Sequence, residues 1–125
     1  MNCHTSLEEA AQDYVDEIRS AAGVVACALV SCDGRVMGKY FWEGSLSSSL
    51  FAAMSATVLA AAEAVCGSAH IQRPSTVIIT ATDATILIVS AGEAALITAT
   101  IDKSADLPTV QRQLTDIAAR IGEVT

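Results

Sequence analysis

Two histidines, four cysteines and a triplet of serines are the residues of this chain best suited to act on another molecule. Cys3-His4 and Cys66-x-x-x-His70 each join a thiol to an imidazole at short spacing. They lie on unconnected segments, and there is no CxxC pair, so the four-ligand pattern of a structural zinc site is missing. Ser47, Ser48 and Ser49 have no GxSxG elbow around them, and His4 and His70 are the only imidazoles that could serve as base. Capping a helix is sufficient reason for serines at that place. Neither GxxxxGK nor GxGxxG occurs, so no phosphate-cradling loop is expected. The carboxylates are scattered over helices and turns, without the close pair that acid–base work needs. The expectation is a protein that is not an enzyme, with no metal and no cofactor.

If chemistry is not the business of the chain, contact is. Of 125 residues, 52% are hydrophobic and only 17% charged, which excludes disorder and hints at an association surface. This length predicts a single domain over residues 1–125, burying about two thirds of its unfolded surface. The net charge of −7 opposes phosphate, so neither nucleic acid nor an anionic membrane is an expected partner. The start shows no basic region followed by an apolar run, and Glu63 and Asp83 interrupt the best candidates for a membrane span. A cytoplasmic protein with reduced thiols is the resulting expectation.

The stretch from Leu46 to Cys66, LSSSLFAAMSATVLAAAEAVC, organises the rest. It reads as one long helix, rich in Ala and free of Pro, with Gly67 expected to end it. Leu50, Met54, Val58, Ala61 and Val65 form a stripe suited to cover a sheet. Phe51, Ser55, Leu59, Ala62 and Cys66 form a second about a third of a turn away, expected to meet a partner helix, with Phe51 and Leu59 able to exchange roles with Ala53 and Ala60. Ala53, Ala56, Ala60 and Glu63 make a third, shallow surface for a further partner. Glu63 is the only charge, whereas a surface helix normally sets charge opposite its buried stripe.

A first helix is predicted from near Ser6, where Thr5-x-x-Glu8 and Ser6-x-x-Glu9 are overlapping capping boxes, to Gly23. Val24–Val30 is a continuous apolar run, the mark of a central strand. Cys32-Asp33-Gly34 then makes a tight turn into a return strand over Arg35–Trp42, guarded by Arg35 and Lys39. Phe41 and Trp42 suit a contact patch or a cap on the core. Thr76–Ala81, Thr85–Ser90 and Ala94–Ile101 are strands joined by turns too short for anything but an antiparallel meander. A last helix starts around Asp106–Pro108 and ends at Gly122. Cys27, in mid-strand, is expected to be inert, and Cys3, outside any element, reactive.

The element order α-β-β-α-β-β-β-α gives an α/β sandwich whose simplest five-stranded antiparallel sheet runs 2-1-5-4-3. Strand three, Thr76–Ala81, is then an edge without charge or Pro, which is a pairing liability unless something pairs with it. One partner molecule would satisfy that edge, through Thr76, Val77, Ile78, Ile79 and Thr80, and the apolar helix beside it.

The pattern resembles the roadblock family, which includes dynein roadblock light chains and MglB proteins. The resemblance is carried by Gly23-Val24-Val25-Ala26, Ser31-Cys32-Asp33-Gly34, the helix SLFAAMSATVLAAAEAV, Val77-Ile78-Ile79, Asp83, Leu87-Ile88-Val89 and Gly92, and covers Glu8 to Ile121. It implies a roadblock/profilin-like fold and a homodimer joined third strand to third strand, with paired second helices. It also implies service to a small Ras-like GTPase as regulator or scaffold, or as a cargo or assembly adaptor. No basic residue lies between Lys39 and Arg73, which excludes an arginine finger from the long helix. A small-ligand sensor is the further alternative, disfavoured by tight Ala, Val and Ile packing.

Overall fold

The computed structural model describes residues 3–40 and 47–124. The elements are α1 (Cys3–Arg19), β1 (Val24–Ser31), β2 (Val36–Tyr40), α2 (Ser48–Ser68), β3 (Thr76–Thr80), β4 (Ala84–Ala91), β5 (Ala95–Asp102) and α3 (Leu107–Glu123). The strands form one antiparallel sheet in the order β2-β1-β5-β4-β3, as the turn lengths and apolar runs required.

Alternation along the strands divides the core in two. Cys27, Leu29, Leu87, Val89, Ile97 and Ile101 face α1 and α3, which bring Leu7, Val15, Ile18, Leu114 and Ile121. Ala28, Val30, Ile88 and Leu96 face α2 on the other side. On the first face α1 and α3 lie together, and Glu17 of α1 pairs with Arg120 of α3. Interior β1 is paired over most of its length with β5, the central strand and the one made last.

Several boundaries differ from the expected ones. The first helix begins at Cys3, so Thr5 and Ser6 lie inside it and are not its caps. Cys3 therefore belongs to an element, against the expectation that it lies outside any. Gly67 is inside α2, which runs to Ser68. The left-handed position that ends it is taken by His70 (φ 60°), with Ile71 N–H donating to the Cys66 carbonyl at 3.0 Å. The chain thus makes the glycine-type helix end with a histidine. Likewise α3 continues through Gly122 to Glu123. Leu46, Phe41 and Trp42 fall outside the described residues.

Candidate functional site

The surface of interest is built by α2, the strand beside it and the turns at its flank. Ser47 caps the helix, its hydroxyl accepting from Leu50 N–H. The helix crosses the sheet from one edge to the other. Near its start Lys39 Nζ of β2 donates to Ser48 Oγ at 3.1 Å. Near its end Glu63 Oε2 accepts from Arg73, just before β3, at 2.7 and 3.1 Å.

The face of α2 that meets the sheet is not the expected one. Ala52, Ser55 and Leu59 are buried against it, whereas Leu50, Met54 and Val65 are 56%, 55% and 66% exposed. Periodicity could not separate these stripes because each is apolar. Three local facts decide. Ser55 Oγ donates to Thr98 Oγ1 of β5 at 3.0 Å, so a polar residue is satisfied where an apolar one was expected. The tip of the β1–β2 hairpin, where Gly34 takes φ 90°, approaches Ala53 and Ala56 so closely that only small residues fit. Leu59 then fills the space above Leu96.

The expected contact residues are therefore redistributed. Of those assigned to a twin helix, Ser55 and Leu59 are sequestered beneath α2, and Phe51, Ala62 and Cys66 are half-buried. Among the residues assigned to a further partner, Ala53 and Ala60 are exposed, but Ala56 packs against Val30, Leu96 and their neighbours. The charge of Glu63 is not free to orient a partner by itself, since Arg73 neutralises it. Pattern reasoning missed Leu50, Met54 and Val65 as surface residues and Arg73 as a neighbour of the helix. Only the sheet register and the α2–β3 loop bring these to view.

The exposed flank leads directly to β3. Leu50, Phe51, Met54 and Val58 face Ile79, Ile86 and Ile88 across a groove of about 300 Å³. Ser75 O accepts from Ser90 N–H and Ala81 N–H donates to Ala84 O, so residues 75 and 81 turn their backbone groups toward β4. By alternation Thr76, Ile78 and Thr80 turn theirs outward from the sheet. This terminal strand is short, uncharged and apolar, with Ile78 44% exposed. An open ladder and an apolar helix flank thus lie side by side.

The sequence over residues 10–100 matches the family model of the Roadblock/LC7 domain. The chain belongs to the Roadblock/LC7 family. Solved structures agree on the fold. Myxococcus xanthus MglB superposes on this roadblock domain with a TM-score of 0.85 at 11% identity, over 94% of this chain and 88% of that one. A gliding protein mglB from Thermus thermophilus does so at 0.80 and 18%, over 94% and 89%. A Roadblock/LC7 domain from Streptomyces avermitilis gives 0.80 and 12%, over 88% and 92%. No curated protein matches the roadblock chain in sequence.

Within this roadblock domain α2 is, among the described residues, the one helix long and apolar enough to cross a membrane. It is laid on its own sheet through Ala52, Ser55 and Leu59. The thiols sort by environment. Cys27 is buried, donates weakly to the Val15 carbonyl, and is pushed up to about 12 by desolvation. Cys32 is exposed at the hairpin and Cys66 half-buried on α2. Among the described residues no group of three His, Cys, Asp or Glu is placed to hold a metal ion.

Proposed function

We propose that this roadblock domain is a non-enzymatic, cytoplasmic, dimeric scaffold or regulator that binds a small Ras-like GTPase through its paired second helices. One observation carries the reading: the bare, uncharged ladder of β3 and the Leu50–Met54–Val58 flank of α2 meet in one apolar groove, and the exposed Val65 lies further along the same helical stripe. An edge of this kind invites another strand, and a second copy brings the matching strand and helix at once. Small residues beside it, Ala53 and Ala60, leave a shallow surface on the assembled pair for a further protein. Membership of the Roadblock/LC7 family and a fold shared with MglB support the choice of a GTPase as that protein.

The test combines mass with binding. Sedimentation of the unaltered chain at micromolar concentration is expected to give a dimer. Ile78→Pro removes an outward N–H while sparing the ladder to β4, and Val65→Glu sets a charge on an already exposed position; each should give a folded monomer. A stable monomer before any change would end the dimer proposal. Binding is then measured against candidate GTPases in each nucleotide state, with Ala60→Arg expected to abolish it and keep the dimer. A dimer that binds none of them is a cargo or assembly adaptor instead.

A further inference from the structure

The groove and the side chain that suits it lie at opposite ends of α2. Near the start of the helix Leu50 and Met54 wall the groove, with Ile79, Ile86 and Ile88 across from them. Near its end Val65 stands 66% exposed, and Ala61 is exposed one turn before it. The helix lies obliquely on the sheet, its start tied to β2 through Lys39 and Ser48, its end to the approach to β3 through Glu63 and Arg73. The groove is thus the gap left where the first half of α2 draws away from β3, and the second half stands nearest the open edge.

That edge fixes how a second copy approaches. A two-fold axis at Ile78 sets Ile78 against its counterpart and each Thr76 against a Thr80, so every outward-facing residue of both strands is bonded. A slide to Val77 would set Thr80 against Pro74, which has no N–H, and a slide to Ile79 would set Thr76 against Thr82, in the turn to β4. On the α2 side the axis lays Val77 beside the partner's Ile79, which extends the floor of the groove. It also turns α2 end for end. Leu50, Met54, Ala61 and Val65 share one stripe, with 50 and 65, like 54 and 61, equally far from its midpoint. We infer that Val65 of a second copy of this chain completes each groove, with Ala61 lying against the partner's Met54. Bulky side chains of one half of the helix then meet small ones of the other along the whole contact. A surface complementary to itself in this way selects an identical chain over a roadblock domain with another pattern of sizes. The inference rests on the proposed dimer and names what each copy supplies to the other.

The test exchanges sizes. Met54→Ala opens space at the contact and Ala61→Met overfills it, and both positions are exposed in the single chain, so the core is untouched. Each variant alone is expected to weaken its own dimer about tenfold in sedimentation. In an equal mixture the heterodimer sets a large residue against a small one at both contacts, so native mass spectrometry should find it dominant over either homodimer. In native dimers with one labelled protomer, NOEs are expected between the methyls of Val65 and those of the partner's Leu50. A purely statistical mixture, or no such NOE, would overturn the seating of Val65 and leave the dimer itself standing. A native chain that sediments as a monomer would overturn both.

Discussion

Cys27 shows how one side chain records where it lies. Its thiol is buried on interior β1 beneath α1, and desolvation favours the neutral form, which pushes it from 9.0 up to about 12. In the unfolded chain the thiol ionises at its ordinary value. The folded state then holds a proton that the unfolded state has lost, so stability falls as pH rises. This contribution is complete below about 9 and disappears through about 12. The urea midpoint of the native protein is expected to drop across that window more steeply than that of Cys27→Ala, which has no thiol to ionise. Parallel curves for the two proteins would mean that Cys27 is wet. Ser55 teaches the same lesson in reverse: one hydrogen bond to Thr98 lets a hydroxyl occupy the middle of a helix–sheet contact. Losing either partner leaves the other unpaired, at a cost of about 1–3 kcal/mol.

At the scale of elements, α2 ends by a device that its sequence disguises. Gly67 lies in the helix with nothing within 4 Å of its missing Cβ, while His70 carries the positive φ that glycine would adopt freely. Gly67→Ala should therefore stabilise the protein by about 1 kcal/mol, raising Tm by about 3–5 °C in thermal unfolding. An unchanged or lower Tm would place a neighbour against that position. The same helix shows what was legible beforehand and what was not. Sheet order followed from short turns and from the apolar runs of β1 and β5, because few topologies satisfy both. The facing of α2 did not follow. Rotational setting is read from contrast between stripes, and Leu50, Phe51, Ala52 and Ala53 supply none. A hairpin tip and a hydroxyl pair made the choice, and both depend on residues more than fifteen positions away. Helix ends were misjudged at Gly67 and Gly122, each taken as a stop although the helix runs past it, whereas α1 does end before Gly23.

For the molecule as a whole, the two faces of the sheet are unequally finished. One is closed by α1 and α3, stapled through Glu17 and Arg120. Among the described residues the other is covered by α2 alone, and the groove beside β3 is left open. If a second copy completes it, association and folding are linked, and Tm should rise with protein concentration. Differential scanning across a hundredfold dilution series is expected to show that rise for the native chain and a flat line for Val65→Glu. A Tm independent of concentration in the native chain would separate its stability from any dimer.

The pairing of β1 with β5, and of α1 with α3, has a consequence for how the molecule is made. Strands and helices at opposite ends of the chain are each other's neighbours. On a ribosome α1 can settle on β1 and β2 as they emerge, but the β5 edge of β1 and the α3 side of α1 stay open until residues beyond Leu114 emerge. Vectorial synthesis thus offers this fold no early half that can close, and its nascent chain passes through an extended period of exposure to chaperones and to its own sister chains. A circularly permuted chain that begins in the 69–75 loop would deliver β3, β4, β5 and α3 first and shorten that wait.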